Sequence, residues 1–361
     1  MSEPYGRESY GWLAADGWVF PLMFYLLQSF LRINEREATF ARRGFACRNP
    51  EVQDRLEHVG RTFLRGYHAA LFEAGRDDDQ TALSRRLDEI NLEFRGFAYE
   101  GAAMALFLDD ALSVRGQRFP RFVAGAGKQH IYMLHVGAGW ACARIPWLRY
   151  RMEAAIAGLH PVLRWLTMDG YGFHQGYFYA KTQLESNKAG AGLSAQARHV
   201  FFQGLGRSLW FVHGANADRI ASAIAAMAPE YQGDAWSGVG LACAYAGGMA
   251  VDELGFLRRR SGDHAAALGQ GAAFAAKARQ LAGNPATHTE VACAAFCRMS
   301  ADQAATLCDQ TFGQLSNVHP CPYQQWRMLL QDFLLSHTQL IVRGESHEPV
   351  KSPELAATKS S

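Results

Sequence analysis

An all-α fold follows from three features of the sequence. Apolar residues recur at helical period from residue 50 to about 340, and convincing alternating strand patterns are hard to find over that stretch. A glycine inside an apolar helix also returns about every 34 residues. That spacing corresponds to two helices and two turns, so it predicts about six tandem helical hairpins forming a superhelix or a closed α/α toroid.

Taken in order, residues 1–34 hold an apolar helical segment. Its core, Val19 to Leu31 (VFPLMFYLLQSFL), is interrupted by Pro21 and Gln28 and falls short of the roughly 20 apolar residues that span a bilayer. Its periodicity predicts a core helix, with an interfacial membrane helix as the alternative. Residues 35–340 form the helical-repeat domain. Turn-rich segments divide it: GRDDDQ (75–80), RGQRFP (115–120), SNKAGAG (186–192), APEYQGD (228–234), RSGD (260–263), AGNPAT (282–287) and NVHPCP (317–322). Residues 341–361 end in VKSPELAATKSS, which predicts a disordered tail.

Composition narrows the function classes. The 361 residues carry 36 Lys and Arg against 34 Asp and Glu, a balance that predicts no nucleic-acid surface. A hydrophobic content of 49% supplies ample core and excludes wholesale disorder. The seven cysteines lack CxxC pairs and the dense spacing of secreted scaffolds, and no signal-peptide pattern opens the chain, so a cytoplasmic protein is expected.

Six segments align on their glycines: Gly66, Gly101, Gly137, Gly176, Gly204 and Gly238, separated by 35, 36, 39, 28 and 34 residues. Glycine within a helix costs roughly 1 kcal/mol against alanine, so its recurrence implies close packing of helix backbones. The flanking Tyr67, Trp140, Tyr177, Trp210 and Trp236 would then fill the outer volume. Alternatively, the glycines clear space for a ligand along an inner wall.

If the repeat holds, Arg65, Glu100, Val136, Gln175, Gln203 and Ser237, each preceding an aligned glycine, face a common surface. Glu100 shares its helix face with Phe97, Met104 and Phe107. A carboxylate in such surroundings must be paired or protonated, which makes it the leading general acid or base, or else one half of a buried ion pair with Arg65 or Arg207. His135 and His174, each next to aromatics and an aligned glycine, complete the predicted catalytic set. Tyr132, Trp140, Tyr171, Tyr177, Gln175, Gln203, Arg207, Trp210 and Trp236 are the predicted substrate contacts.

Other chemistries find little support. His288, Glu290, Cys293 and Cys297 collect metal-ligand types, but cysteines in Ala-rich helices are ordinarily small hydrophobes, and no HExxH or CxxC is present. GAGK (125–128) lacks the upstream glycine and the following hydroxyl of a phosphate loop, and VGAGWA and SGVGLA lack a third glycine and a preceding strand. Asp77, Asp78 and Asp79 fall in a turn, and Asp109 and Asp110 read as a solvated helix end. No cofactor and no metal are expected.

The segments FARRGFACRNPEVQDRLEHVGRTFLRGYHAAL, GFAYEGAAMALFLDD, HVGAGWACARIPW, DGYGFHQGYF, QGLGRSLWFVHG and AWSGVGLACAYAGG together resemble a bacterial family catalogued as a domain of unknown function and frequently labelled an enediyne biosynthesis protein. The resemblance covers roughly residues 35–315. It implies a participant in specialised metabolism and carries no assigned catalytic residues.

The leading functional expectation is a natural-product biosynthetic protein enclosing an apolar polyene or isoprenoid chain, working as a cofactor-free acid/base cyclase or isomerase through Glu100, His135 and His174. The rival is a non-catalytic repeat scaffold holding biosynthetic partners. The rival predicts a groove lined with polar and aromatic residues and open to solvent, and the enzyme predicts an enclosed apolar pocket.

Overall fold

The computed structural model describes residues 31–72, 80–113, 116–145, 147–148, 152–185, 189–316 and 319–343. The Val19–Leu31 helix up to residue 30, the Asp77–Asp79 run and the tail from residue 344 lie outside them. The described chain is all helical, with sixteen α-helices and no strand.

Seven helices form an inner set: α2 (Pro50–Phe72), α4 (Arg95–Leu112), α6 (Ile131–Arg144), α8 (Leu166–Glu185), α9 (Ala195–Val212), α11 (Pro229–Ala246) and α13 (Ala265–Ala282). Shorter helices connect them: α3 (Thr81–Asp88), α5 (Arg118–Ala124), α7 (Met152–Ala155), α10 (Ala217–Ala225) and α12 (Val251–Arg260). A one-turn helix, α1 (Phe40–Arg43), precedes the set, and α14 (Thr287–Cys297), α15 (Ala301–Phe312) and α16 (Pro322–Arg343) follow it. The break expected at 228–234 is instead a helix start, because Pro229 opens α11 at a position where its missing N–H costs nothing.

Successive inner helices run in the same direction. Asp169 on α8 bonds Gln203 on α9, 34 residues on, and Ser237 on α11 bonds Gln270 on α13, 33 residues on. Glycines set the closeness of these seams. A Cβ on Gly204 would collide with the Asp169 carbonyl, and one on Gly172 with the Phe201 carbonyl, so α8 and α9 meet backbone to backbone. The same reciprocal arrangement joins α9 to α11 through Gly206 and Gly238, and α11 to α13 through Gly240 and Gly271. In Gly137-x-Gly139, Gly170-x-Gly172, Gly204-x-Gly206 and Gly238-x-Gly240, the first glycine faces the preceding inner helix and the second faces the following one. None of these glycines has a positive φ, so their role is to permit close approach.

The register of the fourth repeat needs correction. Gly176 faces the Ser208 and Leu205 side chains, while Gly170 occupies the position equivalent to Gly137 and Gly204. With Gly170, and with Gly271 as a seventh copy, the separations become 35, 36, 33, 34, 34 and 33 residues. The uneven 39 and 28 of the sequence alignment were the sign of a misplaced copy.

A different kind of seam joins helices far apart in sequence. Arg55 on α2 donates to the Ala246 carbonyl at 2.6 Å, and Arg279 on α13 reaches the Glu93 carbonyl before α4 while also donating to the nearer carbonyls of Tyr245 and Asn284. The Phe97 ring stands 5.1 Å from that of Tyr245, bringing α4 against α11.

Candidate functional site

The corrected register sorts the inner wall into layers, because residues four apart on a helix stack on one face. One position before the seam glycine stand Glu100, Asp169, Gln203, Ser237 and Gln270. Three after it stand Met104, Trp140, Phe173, Arg207, Leu241 and Phe274, and seven after it Arg144, Tyr177, Phe211 and Tyr245.

The first layer is largely a buried polar ladder. Gln203 donates to Asp169 Oδ2 at 2.7 Å, and the Ser237 hydroxyl lies 2.8 Å from Gln270 Oε1. The start of α16 completes it. The Tyr323 hydroxyl meets Gln203, Arg327 Nε donates to Gln270 Oε1 at 3.2 Å, and Arg327 also pairs with Asp234 at 2.8 Å. Polar side chains without such partners would each cost of the order of 1–3 kcal/mol when buried. Their mutual bonding offsets much of that cost, with Gln270 Nε2 and Arg327 Nη2 left without a hydrogen-bond partner among the described residues.

Glu100 and most of the other two layers line a cavity of about 780 Å³, mouth included. From α4 come Glu100 and Met104, from α6 Trp140 and Arg144, and from α8 Phe173, His174, Tyr177 and Phe178. Arg207 and Phe211 of α9, and Leu241 and Tyr245 of α11, complete the wall together with Phe63 of α2. Most of this surface is apolar. Trp140 packs between Phe63 and Phe173, with ring centroids at 4.6 and 5.2 Å.

The segment Ile33–Cys47 adds Ile33, Glu37 and Ala38 to the cavity wall. It is tied to α2 by the Ile33 N–H to His68 and the Phe40 N–H to Glu57, and to α8 by the Tyr177 hydroxyl to the Glu37 carbonyl and by Arg43 to the Phe178 carbonyl at 2.9 Å.

Glu100 is the ionisable group most altered by this setting. It is 3% exposed and accepts a hydrogen bond from Trp140 Nε1 at 3.1 Å. Burial pushes its carboxyl up to about 7, although the positive charge of Arg207 and the indole hydrogen bond pull the other way. It has no ion pair among the described residues. Arg207 instead holds Asp169, with Nη2 2.7 Å from Oδ1, and lies over the Phe173 ring at 4.6 Å. Asp169 is itself raised by burial, against the attraction of Arg207 and the hydrogen bond from Gln203. The expected Glu100–Arg207 pair is therefore replaced by an Asp169–Arg207 pair beside a lone Glu100.

The structure brings together Glu100, His174, Trp140, Tyr177 and Arg207. His135 is elsewhere: its Nδ1 lies 2.7 Å from the Ile131 carbonyl, its ring is packed near Phe119, and burial lowers it to about 4. It does not line the cavity, because it stands two positions before Gly137, off the inner layers. Tyr132 lines a second, smaller cavity that shares Arg207, Leu241 and Tyr245 with the first. Gln203 belongs to the polar ladder, Gln175 is buried beside Gln183, and Tyr171 packs on Phe201. Trp210 donates to the Gly247 carbonyl, and Trp236 is core. These five do not line either cavity.

Sequence reasoning missed Asp169, Met104, Phe173, Phe211, Tyr245 and Arg144. Even spacing of the seam glycines would have exposed them, since each stands at −1, +3 or +7. Cys293 and Cys297 bond backbone carbonyls, and among the described residues no group of three or more His, Cys, Asp or Glu could hold a metal ion.

The chain belongs to the family described as Protein of unknown function (DUF1702), whose model matches residues 22–333 and so extends beyond the 35–315 of the sequence resemblance at both ends. No curated protein and no solved structure matches it. No helix among the described residues is long and apolar enough to cross a membrane.

Proposed function

We propose that this chain is a biosynthetic protein of specialised metabolism, of the kind labelled enediyne biosynthesis, that encloses an apolar polyene or isoprenoid chain and moves a proton on it. The inner helices curl toward a toroid around the cavity, and the ligand occupies the space between the Trp140, Phe173 and Phe211 side chains. One observation carries this reading: an unpaired, buried Glu100 carboxyl, poised near neutrality, faces a cavity otherwise walled by aromatic and aliphatic groups.

A carboxyl near 7 is populated in both forms at neutral pH, which suits proton removal and return better than a strongly acidic step. In an isomerisation, Glu100 takes a proton from one carbon and the same carboxyl returns it to another. The ligand's composition is unchanged and no oxidant is consumed. His174 and Trp140 orient the carboxyl and the chain. A cavity whose wall is mostly apolar favours enclosure of a small molecule over the scaffold reading, which expects a solvent-open groove of polar and aromatic residues.

The test replaces the chromosomal copy in the native host with Glu100→Gln, which preserves shape. Metabolite output should fall by about 10²-fold or more, as removal of an acid/base group does, with the protein folded and at normal abundance. Full output from a folded Glu100→Gln protein would overturn the reading.

A further inference from the structure

The cavity wall breaks its own pattern at one place. Seven residues beyond the seam glycine, α8, α9 and α11 contribute Tyr177, Phe211 and Tyr245, whereas α6 contributes Arg144. The other charged groups lining the cavity are accounted for differently. Glu37 is held by Arg42 and Arg43, both at 2.9 Å, Arg207 is held by Asp169, and Glu100 is the buried carboxyl described above. Arg144 has no hydrogen bond and no ion pair among the described residues, and it is exposed at the cavity's edge while still lining it. A guanidinium there faces apolar wall on one side and solvent on the other.

We propose that Arg144 binds the anionic head group of the ligand, a carboxylate on the end of an unsaturated chain, while the chain itself lies inward past Trp140 toward Glu100. This deepens the proposed function and rests on its apolar-chain reading. A guanidinium pairs with a carboxylate through two parallel N–H···O bonds, which fixes the direction in which a chain enters as well as holding it. A carboxylate placed deeper would lie beside Glu100, and like charges at close range disfavour that pose. The head group thus belongs at the mouth and the reacting carbons belong at depth. Arg144 is the last residue of α6, so its charge also complements that helix end. A purely structural role of that kind would not distinguish between ligands.

The probe is cis-parinaric acid, a fluorescent polyene carboxylic acid, compared with its methyl ester, on wild type, Arg144→Glu, Arg144→Lys and the cavity-filling Leu241→Trp. The proposal expects the acid to bind wild type and to weaken about tenfold or more in Arg144→Glu, as loss of a charged hydrogen-bonded pair predicts. Arg144→Lys should be intermediate, and the ester should bind all three alike. Leu241→Trp should block both probes. Equal affinity of acid and ester for wild type, or equal weakening of both in Arg144→Glu, would overturn the head-group assignment and leave the apolar-chain reading standing. Failure of both probes to bind wild type, or binding of both that Leu241→Trp leaves untouched, would overturn the two together.

Discussion

The seams between successive inner helices and the seam between α2, α4 and the α11–α13 pair solve the same problem by opposite means. Along the chain, α8, α9, α11 and α13 meet through reciprocal glycines, with carbonyl oxygens occupying the space that Cβ atoms would need. Across the chain, Arg55 reaches the Ala246 carbonyl at the end of α11, which has no partner within its own helix, and Arg279 reaches the Glu93 carbonyl just before α4. Glycine seams derive their stability from backbone contact and tolerate no added atom. Arginine seams depend on charged hydrogen bonds and tolerate some movement. Repetition suits the first, because each copy needs only its neighbour. The second is made once, between residues 191 apart in the case of Arg55 and Ala246.

The sharpest way to break this contrast is to enlarge a seam glycine. Gly204→Leu should give no folded protein, and Gly204→Ala should already cost about 3 kcal/mol, because the obstacle is the Asp169 backbone. Gly176→Ala, whose new atom meets the Ser208 and Leu205 side chains first, should cost about 1–2 kcal/mol, because side chains give way where the Asp169 backbone does not. Similar losses by denaturant titration at the two sites would refute the corrected register.

At the arginine seam, Arg279→Ala leaves the Tyr245, Asn284 and Glu93 carbonyls without their donor. A loss of about 3 kcal/mol is expected, with partial recovery in Arg279→Lys. If Arg279→Ala proves neutral, its bonds contribute nothing and the contact between distant helices rests on Arg55 and the Phe97–Tyr245 rings.

The remaining effect concerns the cavity between the seams and appears only on a change of pH. Glu100 is raised in the folded protein from 4.5 to about 7, so the folded state binds more protons than the unfolded state between those values. Its contribution to stability is therefore fully present below about 4.5 and is lost as pH rises to about 7. His130, His135 and His288, all lowered to about 4 by burial, act with opposite sign between about 4 and 6.5. The difference between wild type and Glu100→Gln isolates the carboxyl. Relative to the variant, wild type should lose about 3 kcal/mol from pH 4.5 to 7.5. A flat difference would show that Glu100 is solvated.

Local chemistry made much of this protein legible in its sequence. Helical periodicity required an all-α chain, and recurring glycines in apolar helices required helix backbones in contact. Glu100 could be recognised because three apolar neighbours share its face. The tertiary structure alone decided which face of each helix points inward and which helices meet across the molecule. A helix offers several apolar stripes when it is buried nearly all round, as α6, α8, α9 and α11 are, so no single stripe reveals the wall. For the same reason His135 and His174 looked alike in sequence, though only His174 reaches the cavity. Whether Arg207 would neutralise Glu100 or Asp169 depended on a rotation of α8 against α9 that the glycine seam fixes. That rotation is a property of two packed backbones, and neither helix specifies it by itself.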